Sequence, residues 1–72
     1  MNKNLRPLRK VRFLLGLTQE GLAVKSGVSQ AKISQYERGI TRPSEKNRNR
    51  LASALGERVE KVFPDVEKPE KD

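Results

Sequence analysis

A chain of 72 residues at 8.2 kDa has room for one small domain, and a domain this size buries only about 60% of its unfolded surface, which leaves no volume for a deep catalytic cavity beside a core. Hydrophobic residues make up 33%, charged residues 35%, the net charge is +7, and there is neither Cys nor His. Disulfides, thiolate metal sites and the commonest metal ligand and general base are therefore excluded. No apolar run approaches the ~18 residues of a membrane span and no signal-peptide pattern opens the chain, so a soluble, cytoplasmic protein is expected.

The spacings are helical, and no stretch alternates with period two long enough for a strand. Leu8, Val11 and Leu15 fall at i, i+3 and i+7, the inner face of a first helix that Asn4 would cap and Gly16 would end, with Pro7 tolerated in its first turn. Thr18 caps a second helix, with Gln19 and Glu20 at its positively polarised end, Leu22 and Ala23 inward, and a stop at Ser26-Gly27. Ser29 caps a third that runs to about Tyr36, with Ile33 and Tyr36 facing the core. Thr41-Arg42-Pro43-Ser44 turns into a fourth, capped by Ser44, carrying Leu51, Ala52 and Leu55 and ending at Gly56. A short fifth near Arg58–Phe63 brings Val59, Val62 and Phe63. The fold class is all-α: a bundle of four to five short helices over residues 1–64, followed by a charged, flexible tail over 65–72. Three aromatics, Phe13, Tyr36 and Phe63, have to serve its core.

The stretch from Gln19 to Tyr36 carries the most information. Two short helices joined by a three-to-four-residue turn containing Gly, with a small residue where the helices approach, make a helix-turn-helix unit. Ala23 is the small residue and Gly27 the turn glycine, while Val28, Ile33 and Tyr36 anchor the second helix of the unit by its inner face. The outer face of that helix, Gln30, Ala31, Lys32, Ser34 and Gln35, is left for a partner. Charge suggests which partner. The last 22 residues hold four basic groups against six acids, so the chain's +7 is +9 in the first 50 residues offset by −2 in the rest. A polyanion fits that bias, nucleic acid first and an anionic membrane surface second.

At these residues the sequence resembles a known family. Gly16-Leu17-Thr18-Gln19-Glu20, Leu22-Ala23, Ser26-Gly27-Val28-Ser29, Ile33-Ser34, Tyr36-Glu37-Arg38-Gly39 and Pro43-Ser44 look like the phage repressor/Cro-type helix-turn-helix family, also called the XRE family. The resemblance covers roughly residues 8–63. It implies a lambda-repressor-like five-helix domain, sequence-specific binding of double-stranded DNA and transcriptional regulation, with repression the expected sense. The helix starting at Ser29 is then the recognition helix of the major groove, its N-terminal residues reading base edges. Gln19 is implied as a phosphate contact, and Arg12 and Glu37 match positions that form an internal ion pair in family members, the plainer reading being two separate surface charges.

Each residue also has a plainer reading. Gln30 and Gln35 have the amide that pairs bidentately with adenine, or are ordinary solvated glutamines. Lys32 reaches a guanine or a phosphate. Ala31 meets a thymine methyl or is simply exposed, and Ser34 is short for either task. Ser29 is explained by capping alone, although a helix N-terminus also attracts phosphate. Arg42, Ser44 and Lys46 lie where the turn after the recognition helix would meet the DNA backbone. Phe13 and Leu14 lie off the inner face of the first helix, covering the terminal helix or marking a partner contact.

Several residues depart from the family pattern. Gly21 sits inside the second helix at a cost of ~0.5–1 kcal/mol relative to Ala. Arg48 replaces an apolar residue and Arg58 a capping one, so looser packing is expected after Pro43. No catalytic constellation, metal set, cofactor motif or small-molecule site is evident. A lone domain of this size spans few base pairs, so a homodimer on DNA is expected. The alternative is a protein-interaction module of antitoxin or anti-regulator type on the same fold.

Overall fold

The computed structural model describes residues 6–64, and five helices follow one another along them: α1 Pro7–Leu14, α2 Gln19–Ser26, α3 Gln30–Glu37, α4 Glu45–Leu55 and α5 Val59–Val62. The expected cap Asn4 and the expected tail at 65–72 fall outside the described residues.

Local chemistry sets the boundaries. Pro7 opens α1, where its missing N–H is no loss, and the N-cap position is held by Arg6 with no side-chain bond. The next three helices start on hydroxyls: Thr18 accepts from the Gly21 N–H at 2.9 Å, Ser29 from Lys32 at 3.2 Å and Ser44 from Asn47 at 3.1 Å. Each satisfies a backbone donor that the first turn otherwise leaves orphaned. Gly27 ends α2 at φ +80° and Gly56 ends α4 at φ +69°, left-handed conformations that any Cβ would disfavour.

The core is made by Leu8, Val11, Leu22, Val28, Ile33, Tyr36, Leu51, Ala52, Leu55, Val62 and Phe63, all buried. Helix α2 packs on α3 and α4, while α5 closes the domain against α1 and α4. Ala23 is only partly buried but does pack against this core, as do Leu17, Ala54 and Val59.

Three expectations need correction. Leu15 is 53% exposed, because α1 stops at Leu14 and the i+7 position falls past its end. Phe13, at 70% exposed, takes no part in the core, so two aromatics serve it rather than three. Helix α3 extends through Glu37, and α5 is shorter than Arg58–Phe63, with Arg58 outside it as an N-cap residue whose side chain makes no capping hydrogen bond. The half after Pro43 does bury its expected core residues. Leu51 and Val62 are among the five largest fully buried side chains, and the Arg48 guanidinium donates to the Pro43 carbonyl at 3.5 Å.

Candidate nucleic-acid interface

Helix α3 divides into two faces. Ile33 is fully buried, Tyr36 and Glu37 are buried, and Val28 anchors the turn before them. On the other side Gln30, Ala31 and Lys32 are exposed, and Ser34 and Gln35 are half-buried. Gln35 is not a free side chain, since its Oε1 accepts from the Thr41 hydroxyl at 3.4 Å, which ties it to the turn leading to α4. Ser29, Arg42, Ser44 and Lys46 are all exposed, and Gln19 is half-buried at the start of α2.

One side-chain cluster fixes α3 relative to the helices before it. Arg12 of α1 donates from Nε to Glu37 Oε2 at 2.6 Å and from Nη2 to Oε1 at 3.1 Å, a two-pronged pair across 25 residues of sequence. Its third donor, Nη1, reaches the Leu17 carbonyl in the loop before α2 at 2.7 Å. Gln19 completes the group by donating from Nε2 to Glu37 Oε1 at 3.0 Å. The two charges are nearly sealed from water, with side-chain exposures of 10% and 3%, and planar fork-to-carboxylate geometry is the strong form of such a pair. The family resemblance implied the ion pair. The bond from Gln19 was not foreseen.

Asn47 was also missed. Its amide donates to the Tyr36 hydroxyl at 2.9 Å while its backbone N–H serves the Ser44 cap, so one residue links the end of α3 to the start of α4. Nothing in the local spacing marks it, because both bonds depend on how the helices meet.

Gly27 takes the left-handed conformation expected of it, at φ +80°. A Cβ there would meet nothing nearer than Arg50 Nη1 at 4.0 Å, so the requirement for glycine comes from the backbone angle and not from crowding. At Gly21 a Cβ would stand 3.2 Å from Thr18 Oγ1, the atom that caps the helix, so the Thr18 side chain would have to shift by a few tenths of an ångström.

Residues 8–62 match the helix-turn-helix family. The chain belongs to it, as a member of the Cro/C1, or XRE, type. This helix-turn-helix protein is a DNA-binding regulator of transcription, in a family that is not enzymatic. It is 44% identical over 57 residues to an HTH-type transcriptional regulator of Methanothermobacter thermautotrophicus, covering 78% of this chain and 83% of that one. It is 41% identical over 56 residues to a further such regulator, MJ0272 of Methanocaldococcus jannaschii, covering 78% and 85%. Among solved structures, the restriction-modification controller protein C.AhdI of Aeromonas hydrophila superimposes with a TM-score of 0.75 at 37% identity, over 79% of this chain and 86% of that one. The DNA-binding domain of the P22 c2 repressor does so with a TM-score of 0.75 at 30% identity, over 99% and 96%. These likenesses bear out the all-α, repressor-like fold expected of the sequence. No helix among the described residues is long and apolar enough to cross a membrane.

Proposed function

We propose that this protein recognises its operator through α3 in the major groove. Gln30, Ala31, Lys32, Ser34 and Gln35 face base edges, and Gln19, Ser29, Arg42, Ser44 and Lys46 lie along the flanking phosphates. The observation that carries this reading is the division of α3: Ile33, Tyr36 and Glu37 are locked inward, while Gln30, Ala31 and Lys32 stand exposed at its capped, positively polarised N-terminus. Residues 1–64 act as the DNA-binding unit. Two copies occupy a two-fold operator in the cytoplasm, at the nucleoid, because one recognition helix reads too few base pairs to select a site in a genome. The sense of regulation is repression, which the likeness to the P22 c2 repressor domain supports.

The test compares Gln30→Ala with Gln19→Ala in selections from random duplex DNA. Both substitutions leave the net charge unchanged. A base-reading side chain discriminates by ~1–3 kcal/mol at its position, so Gln30→Ala relaxes the selected sequence at one or two positions and spares non-specific binding. Gln19→Ala weakens binding to every sequence alike. If Gln30→Ala leaves the selected sequence and its affinity intact, the reading of α3 is wrong. The exposed apolar group Phe13, Leu14 and Leu15 favours the second reading, a protein-interaction module, which then takes precedence.

A further inference from the structure

We infer that Glu37, a buried residue that itself reads no base, is a positioning residue for DNA binding: it holds the Gln19 amide in the orientation that meets a phosphate. The inference rests on the reading of Gln19 as a phosphate contact. Three observations carry it. Glu37 Oε1 lies 3.0 Å from Gln19 Nε2, and a carboxylate only accepts, so the amide nitrogen and not its oxygen must face inward. An amide nitrogen has two N–H donors. One is spent on Glu37, and the second remains for a phosphate oxygen beyond it. Finally, Arg12 covers both oxygens of Glu37 at 2.6 and 3.1 Å, so the carboxylate is neutralised and orients the amide without repelling the phosphate.

The cluster therefore has a task beyond joining α1 to α3. Fixing a long side chain before binding removes the ordering cost of ~0.5–1.5 kcal/mol that the complex would otherwise bear. Loss of that orientation weakens DNA binding by roughly two- to tenfold at ~1.4 kcal/mol per decade.

Removing Glu37 alone threatens the fold, so the test replaces both charges. Arg12→Met/Glu37→Leu takes away the acceptor for Gln19. Arg12→Met/Glu37→Gln keeps a neutral amide oxygen in its place. Gln19→Ala is then added to the parent and to both double variants. Binding to a duplex obtained by selection is measured well below each melting temperature. The expected result is that Gln19→Ala weakens binding in the parent and in the Arg12→Met/Glu37→Gln background but has almost no further effect with Arg12→Met/Glu37→Leu. The Gln19 side-chain amide resonances in the free protein should follow the same order, dispersed with an acceptor and collapsed to solvent-like positions without one. A general structural role for the cluster predicts instead an equal loss on Gln19→Ala in all three backgrounds, and that result overturns the positioning inference alone. No loss in the parent overturns both the inference and the phosphate reading of Gln19.

Discussion

Breaking the Arg12–Glu37 pair from one side should strongly destabilise the domain, whereas removing both charges should not. In Glu37→Leu the guanidinium of Arg12 keeps its bond to the Leu17 carbonyl but loses both bonds to carboxylate. It does so where the side chain is only 10% exposed, with little water to replace them. An uncompensated buried charge of this kind costs about 3–5 kcal/mol. A domain of 72 residues has a total stability of about 4–11 kcal/mol at the usual value per residue, so the single variant consumes between about a quarter and all of it. Replacing both charges by apolar groups of similar volume is commonly neutral or stabilising, and Arg12→Met/Glu37→Leu should lie within about 1 kcal/mol of the parent. Urea titrations followed by circular dichroism separate the cases, since a small domain loses about 1 kcal/mol per molar urea. The single variant then unfolds several molar earlier than the double. The reasoning is refuted if Glu37→Leu melts with the parent, or if the double variant is as unstable as the single one.

Three further outcomes follow from particular contacts. Gly27→Val should cost about 1–3 kcal/mol, because the φ of +80° opposes a β-branched residue. Gly27→Asn should cost less, as Asn tolerates the left-handed region; equal melting of the two variants and the parent would remove backbone strain as the cause. Tyr36→Phe deletes the acceptor for Asn47 and should cost about 0.5–1.5 kcal/mol, an amount that a Tyr36→Phe/Asn47→Ala cycle must assign to the pair. Affinity for duplex DNA should fall with salt with a log–log slope of about −4 to −5 per protomer if ~4–6 phosphates are neutralised, and a slope near zero would sever the basic bias from DNA.

What the sequence made legible was local. The hydroxyls Thr18, Ser29 and Ser44 and the glycines Gly27 and Gly56 each act within a few residues of themselves, so the boundaries of α2 and α4 and the start of α3 could be read directly. Core spacing worked wherever the helix continued, and it failed at Leu15, where an apolar residue in register lies beyond the last turn. The outer face of α3 was legible because Val28, Ile33 and Tyr36 fix which side is inward. The partners of the polar site residues were not. Gln19 and Glu37 lie 18 positions apart and Tyr36 and Asn47 11, and such pairs exist only once three helices have been placed. Gly21 reads in the sequence as a plain loss of helix propensity, and only the structure shows that its Cβ position would lie 3.2 Å from Thr18 Oγ1.

Helices α1, α2 and α3 are eight residues long each, shorter than the ~12–15 residues at which an isolated helix becomes even marginal in water. The surface proposed to read DNA therefore does not exist as a part: α3 excised as a peptide is a coil, and the sequence preference proposed for it vanishes with its partners. Gene control by this protein is consequently as cooperative in temperature as its folding. A truncation such as Leu51→Ala, fully buried and on α4 rather than on the proposed recognition helix, should remove about 2–5 kcal/mol and yield a conditional allele. Its operator would be occupied in the cold and abruptly vacated on warming, with the specificity of the remaining folded molecules unchanged.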